Sequence, residues 1–476
     1  MNECKNLKLG KAVVKAAALM LCLAASACRP EKQSHQTSAL NSLAIVLSPQ
    51  PGDDRAAKEI SRLQQQIRDG KNIELALEQL GWAYVARARS SFDPGYYKLA
   101  EQCALALEAK QPHKPEALLL RGHVLQSLHR FKDAEPLARE LTAMRGRAFD
   151  FGLLGDVLME QGRLDEAIAA YQQMADIKPD LHAYTRAAHV RWLKGDLEGA
   201  IEMMQMAVQA ASPHDAESAA WVYAHMALYQ LQAGDLDQSL RYTEAALTFQ
   251  TNYPPALLVR GKVQLAQGKN SEAVISLSLA EAGNPLPEYQ WTLAEALRAA
   301  DRAAAASQIE RALRERGAVS DPRTFALYLS TVGADSATSL RLAREELETR
   351  RDVFTYDAVA WSLAAAGRWS EAGTNSQHAL VEGTQDARLF FHAGIIASEN
   401  AQPAEAEKYL RQAAALQQML LPSEKARLIN CAGRLGLSLS APSAAGGKNF
   451  SEQRVLLKNE KMQTKQKQTN QKVSSL

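Results

Sequence analysis

The stretch FGLLGDVLMEQGRLDEAIAAYQQMADIKP, residues 151–179, sets large and small apolar residues at helical spacing. Phe151, Leu154, Gly155 and Leu158 fall on one face of a first helix. Ala167 and Tyr171 fall on one face of a second. Gly162 stands between the two runs, where glycine can take the left-handed conformation that ends a helix. Pro179 closes the unit, since proline cannot continue a helix. The pattern predicts two antiparallel helices that approach closely at Gly155 and Ala167.

The same pattern recurs along the chain. Taking the small residue of the first helix as anchor, the series is Gly81, Gly122, Gly155, Ala188, Ala227, Gly261, Ala294, Leu327, Ala360 and Gly394. The intervals are 41, 33, 33, 39, 34, 33, 33, 33 and 34 residues. Four positions before most anchors stands a bulky residue, as at Leu77, Leu118, Tyr184, Tyr223, Leu257, Tyr356 and Phe390. Seven after stands glycine at Gly162, Gly195, Gly234, Gly268 and Gly367, and Asp196 and Asp235 follow as candidate caps of second helices. Twelve after stands another small residue, from Ala134 to Ala372 and Ala406, with Ala100 in that role in the first repeat after an insertion. Pro179, Pro213, Pro285 and Pro422 are placed to stop second helices. The two long intervals predict loops at residues 86–97 and 210–218. Such a period is the signature of stacked helical hairpins, each burying its apolar face against its neighbours.

Composition agrees with an all-α chain. It is rich in alanine and only 6% aromatic, and no stretch alternates in the manner of a strand. At 46% hydrophobic over 476 residues it can bury a large core. A formal net charge of +2 gives no field for nucleic acid, and no nucleic-acid partner is expected.

The spacing W/L/F-x2-L-G-x2-Y, then A-x3-F/Y, then P resembles the tetratricopeptide (TPR) family. Phe151, Leu154, Gly155, Leu158, Ala167, Tyr171 and Pro179 carry the resemblance, which extends over residues 74–422. It implies a right-handed superhelical solenoid of about ten repeats. It also implies that a protein or peptide partner binds the concave groove lined by first helices. The positions that would contact such a partner are His123, Asp156, Met159, His189, Trp192, Leu228, Leu231, Lys262, Leu265, Trp291, Glu295, Trp361 and Phe391. For the tryptophans a second reading stands beside this one, that they pack against neighbouring helices. No Asn follows any anchor, which sets aside the subclass that clamps a C-terminal carboxylate.

The ends differ from the repeats. Lys5, Lys8, Lys11 and Lys15 precede the apolar run of residues 16–24, the layout of a secretory signal over residues 1–27. Ala25-Ser26-Ala27 fits an ordinary signal-peptidase site. With Cys28 it also resembles a bacterial lipobox, although Ala25 stands where leucine is usual. The expectation is lipidation of Cys28 and a membrane anchor at the periplasmic face, with soluble export as the alternative. Residues 28–73 read as a tether and lead-in, and 423–437 as a helix capping the last repeat. Residues 438–476 read as a disordered basic tail.

Motifs that carry chemistry are scarce. No Walker loop, GxGxxG, HExxH, CxxC or GxSxG occurs. The histidines are scattered, and no metal or cofactor is expected. Residues 89–94 (RSSFDP) loosely match a transglycosylase motif, but Ser90 stands where an acid is needed. Cys103 and Cys431 are expected to be buried thiols. The chain reads as a non-catalytic binding scaffold or adaptor of the cell envelope. The alternative is an accessory factor that handles cell-wall glycan or anionic polymer.

Overall fold

The computed structural model describes residues 42–439. Among them the chain forms twenty-three helices, one a single 3-10 turn, after a short helical segment at residues 42–46, and no strand. The signal, Cys28 and the basic tail lie outside the described residues. The chain divides into two compact units at Arg145 and Gly146.

The first unit holds Arg55–Arg68 (α1), Ile73–Ser91 (α2), Gly95–Lys110 (α3), Pro115–Ser127 (α4) and Phe131–Met144 (α5). The lead-in belongs to the fold from residue 42 onward. Val46, Ile60, Leu63 and Ile67 are buried with Leu77, Leu80, Tyr84 and Leu120 in one core. Gln64 donates to the Val46 carbonyl at 2.8 Å and to Tyr84 Oη at 3.0 Å, which pins the segment to α2. Residues 86–97 are not a loop, because α2 runs on to Ser91 and α3 starts at Gly95.

The second unit continues with Ala148–Glu160 (α6), Leu164–Ile177 (α7), Leu181–Leu193 (α8), Leu197–Ala210 (α9), Ala216–Gln232 (α10) and Leu236–Phe249 (α11). Then follow Pro254–Ala266 (α12), Asn270–Gly283 (α13), Pro287–Ala299 (α14), Ala303–Ser320 (α15), Pro322–Val332 (α16) and Ser336–Leu347 (α17). Val353–Ala365 (α18), Trp369–Ala379 (α19), Ala387–Glu399 (α20), Pro403–Ala415 (α21) and Pro422–Arg434 (α22) complete it. Every anchor lies on a first helix, and ten helix pairs run in register from α2/α3 to α20/α21.

The small residues have the packing role their spacing suggested. All ten positions twelve after the anchors, with Ala100 standing for the first, are fully buried. In two repeats that position is serine rather than alanine, and the buried hydroxyl is satisfied by the first helix. Ser239 donates to the Ala227 carbonyl at 2.8 Å and Ser339 to the Ala326 carbonyl at 2.8 Å. Glycine anchors face large partners: a Cβ on Gly155 would overlap the Tyr171 ring, and one on Gly394 would lie 2.7 Å from Leu410.

The turn between paired helices keeps its left-handed residue even where glycine is missing. His129, Asp301 and Ala401 occupy the register of Gly162 with φ of 58°, 58° and 56°. Asp196 and Asp235 cap as expected, accepting from Gly199 N and Gln238 N at 2.9 Å. Pro422 does not stop a second helix; it opens α22 at the first helical position, where its missing N–H costs nothing.

Candidate functional site

Within the second unit the repeats curl until their ends meet. The Glu160 carbonyl accepts from Arg351 N at 3.1 Å, and Glu160 pairs with Arg350 at 2.6 Å. One repeat on, Thr384 Oγ1 donates to the Leu193 carbonyl at 2.6 Å, and Lys194 meets Glu382 at 2.5 Å. One repeat further, Gln418 donates to the Gln232 carbonyl at 2.9 Å, and the Gln232 amide donates to the Gln385 carbonyl. Each contact but Gln232–Gln385 joins the turn of one repeat to the linker that follows the fifth repeat after it; that bond reaches the linker after the fourth. One superhelical turn therefore takes between five and six repeats. Leu164 and Leu193 share a buried cluster with Val353, Ala379 and Leu389, so the seam is apolar as well as hydrogen-bonded.

This closure turns the concave face into a lumen of about 820 Å³. First helices supply most of its wall: Met159 from α6, His189 and Trp192 from α8, His225, Leu228 and Tyr229 from α10, Lys262 from α12. Opposite them stand Arg323 of α16, Phe354, Tyr356 and Asp357 of α18, and Arg388 of α20. Trp192 stacks on Phe354 across the seam at 5.5 Å and donates through Nε1 to Gln232 Oε1 at 2.7 Å.

Most charges in this wall are neutralised among themselves; the exposed Arg351, which also lines it, has no ion pair among the described residues. One chain runs Glu160–Arg350–Asp352–Arg323, with Arg323 to Asp352 at 3.0 Å and Arg350 to Asp352 at 3.4 Å. A second runs Lys262–Glu288–Arg388–Glu424, closing with Arg388 to Glu424 at 2.7 Å. Burial would raise the Glu288 carboxyl, but Lys262 and Arg388 overcome it and hold it down at about 2. Burial pushes Asp386 up, against the backbone N–H groups of Leu389 and Arg388 that it accepts from. The imidazoles of His189 and His225 are pushed down to about 4 by burial, and are therefore neutral near pH 7.

The structure divides the residues anticipated at the groove. Met159, His189, Trp192, Leu228 and Lys262 line the lumen together. Asp156 does not: it pairs with Arg186 at 2.5 Å and accepts from Tyr171 Oη at 2.9 Å. Leu231 is buried with Val259 and Val263, and Leu265 packs against the core of α13 and α14. His123 belongs to the first unit, its ring 5.4 Å from that of Trp82.

Trp291, Glu295, Trp361 and Phe391 are all buried, Glu295 and Trp361 beneath α22. That helix does not simply cap the last repeat; it reaches first helices on the concave side. Glu295 accepts from Ser423 N at 3.0 Å and from Ser423 Oγ at 2.6 Å. Glu424 is held by Arg388, and the Arg427 guanidinium lies 4.7 Å over the Trp361 ring. Arg388 covers Trp291 at 4.8 Å. The packing reading of Trp291 and Trp361 is the one the structure realises. For Trp192 both readings hold, since it packs across the seam and still lines the lumen.

Repeat position alone could not find Arg350 and Asp352, which face the lumen from a linker that no anchor offset reaches. Arg323 and Tyr356 stand four before their anchors, at the offset read as packing, and face the lumen as well. Among the described residues no cluster of His, Cys, Asp or Glu could hold a metal ion, and Cys103 and Cys431 are buried free thiols. No helix among them is long and apolar enough to cross a membrane.

Comparison with known proteins gives the repeat type. The tetratricopeptide repeat family model matches residues 119–182 and 153–216, so this stretch carries tetratricopeptide repeats. No curated protein matches the chain. Among solved structures, yeast Tom70 is similar at 15% identity, covering 83% of this chain and 99% of that one, with a TM-score of 0.35. Pseudomonas aeruginosa PilF is similar at 14% identity, covering 48% and 97%, with a TM-score of 0.36. A human IFIT1 dimer with PPP-AAAA is similar at 12% identity, covering 75% and 77%, with a TM-score of 0.39.

Proposed function

We propose that the chain is a non-catalytic scaffold, exported to the bacterial cell envelope, that holds a peptide segment of a partner protein in the lumen of its second unit. One observation carries this reading. First helices from successive repeats bring aromatic, aliphatic and imidazole side chains, Met159, His189, Trp192, Leu228 and Tyr229 among them, to the wall of one cavity. Its volume of about 820 Å³ falls in the range of roughly 300–1,000 Å³ typical of ligand pockets. Interaction through repeat surfaces is the usual work of tetratricopeptide scaffolds.

Export and anchoring rest on the sequence alone, on the basic n-region, the apolar run and the Ala25-Ser26-Ala27-Cys28 site. Cys28→Ala should move the protein from the membrane to the soluble fraction, and retention at the membrane would refute the anchor. Partner binding is tested with a photo-crosslinking residue at Met159 or Leu228 in living cells, and at the outward-facing Ile275 as control. The reading expects partner peptides joined from the first two sites and not the third. Enrichment of glycan instead would move the assignment to a polysaccharide-handling factor. Equal labelling from all three sites would refute the lumen as the place of binding.

A further inference from the structure

We infer that the lumen selects an uncharged peptide segment, recognised through neutral hydrogen-bonding groups and an aromatic wall, and admits neither a folded domain nor a charged motif. This rests on the peptide-binding reading and narrows it.

The size limit follows from the seam. An open solenoid could wrap a domain, but here the turns at Glu160, Leu193 and Gln232 are fastened to the linkers at Arg351, Thr384 and Gln418. The apolar cluster of Leu164, Leu193, Val353 and Leu389 closes the same joint. What remains is a cavity of about 820 Å³, enough for a short extended stretch of chain and not for a globular partner.

The charge selection follows from which groups in the buried part of the lumen are already engaged; Arg351, the lining arginine without an ion pair among the described residues, is exposed to solvent. Lys262, Arg323 and Arg388 each face a carboxylate of the protein, and Glu160, Glu288, Asp352 and Glu382 each face a cation. Asp357 is held by His392 Nδ1 at 2.9 Å. A ligand charge entering past the exposed Arg351 must break one of these pairs or be buried without a partner, and an uncompensated buried charge is strongly disfavoured. The side chains of His189, Tyr229, Tyr356 and His378 are the opposite case. None has a hydrogen-bond partner among the described residues, yet none of their polar atoms is sealed off. His225 keeps Nε2 open while Nδ1 meets the Trp221 carbonyl at 3.0 Å. The neutral imidazoles of His189 and His225, and the phenols, can donate to and accept from amide groups. They stand beside Trp192 and Phe354, which offer area to apolar side chains. Peptide backbone flanked by uncharged side chains satisfies both features.

The test uses the purified full-length chain and two sets of short, fluorescently labelled peptides with blocked ends. One set carries only uncharged residues; the other differs by a single Lys or Asp. Binding is followed by anisotropy at low and high salt. The inference expects the uncharged set to bind with little salt dependence. It expects Tyr229→Phe to weaken binding roughly three- to tenfold, the effect of one hydrogen bond, with an unchanged melting curve. Tighter binding of the Lys or Asp set, or a steep loss with salt, would overturn the inference and leave the peptide reading standing. Uncharged binding unaffected by both Tyr229→Phe and His189→Ala would also overturn it, since the lumen would not be the site. Failure of every peptide to bind would remove the peptide reading itself.

Discussion

Four glycines of the second unit share one backbone conformation but meet different surroundings, and this allows the seam to be weighed. Gly162, Gly195, Gly268 and Gly367 have φ of 76°, 77°, 74° and 73°. An alanine at Gly268 or Gly367 would meet nothing within 4 Å. Its cost is the left-handed conformation alone, about 1–2 kcal/mol, offset in part by about 0.4–1 kcal/mol of lost freedom in the unfolded chain. At Gly162 the new methyl would overlap the Arg351 carbonyl oxygen and lie 3.0 Å from its carbon. At Gly195 it would overlap the Gly383 carbonyl oxygen and lie 3.3 Å from its carbon. Both obstacles are backbone, which cannot swing aside as a side chain can. Overpacking of this kind costs about 1–3 kcal/mol. At Gly162 the adjoining bond from Arg351 N to the Glu160 carbonyl is strained as well, for about 1 kcal/mol more. The four Gly→Ala variants are compared by urea unfolding, with tryptophan fluorescence as readout because Trp192 lies on the seam. Gly162→Ala should lose about 2–4 kcal/mol, and Gly195→Ala about 1–3 kcal/mol, more than Gly268→Ala and Gly367→Ala. Equal losses at all four positions would show that the turns and linkers do not touch in solution, and the closed lumen would fall with them.

Gln232 is a buried hub that accepts from Trp192 and donates to the Gln385 carbonyl. Gln232→Leu should cost about 2–3 kcal/mol by stranding both partners, measurable as a shift of the urea midpoint; a neutral result would remove it from the seam. Ala401 holds a left-handed turn at φ 56°, so Ala401→Gly should stabilise by up to about 1 kcal/mol, while a loss would show that the turn is not left-handed. His189 and His225 keep their protons off down to about pH 4 when folded, whereas an unfolded chain binds them near 6.5. The unfolded state thus carries more protons between these values, and stability should fall as pH drops from about 6.5 to 4. The double variant His189→Gln, His225→Gln should show a flatter profile across that window, and an unchanged profile would refute the assignment.

The repeat was legible because its determinants are local. A small residue at the anchor and another twelve on meet within one hairpin, so spacing along the chain reports them directly. The lumen was legible only in part. Met159, His189, Trp192, Leu228 and Lys262 follow from repeat position, but Leu231, Trp291, Trp361 and Phe391 share that logic and are buried. Leu231 is buried by the next repeat, but at Trp361 and Glu295 the difference is distant chain. Arg427 covers Trp361 and Ser423 occupies Glu295, and nothing near Trp361 or Glu295 in sequence announces it.

Helix class, hairpin register, capping by Asp196 and Asp235, and the left-handed turn at Gly162 were determined by the sequence itself. Each depends on residues one or two helical turns apart, where propensity and periodicity act. The closed seam, the position of α22 and the pairing of lumen charges were decided only by the tertiary structure. They join residues such as Leu193 and Thr384, 191 positions apart. Whether those meet depends on a small rotation per repeat, accumulated over five repeats, that no single hairpin's pattern encodes.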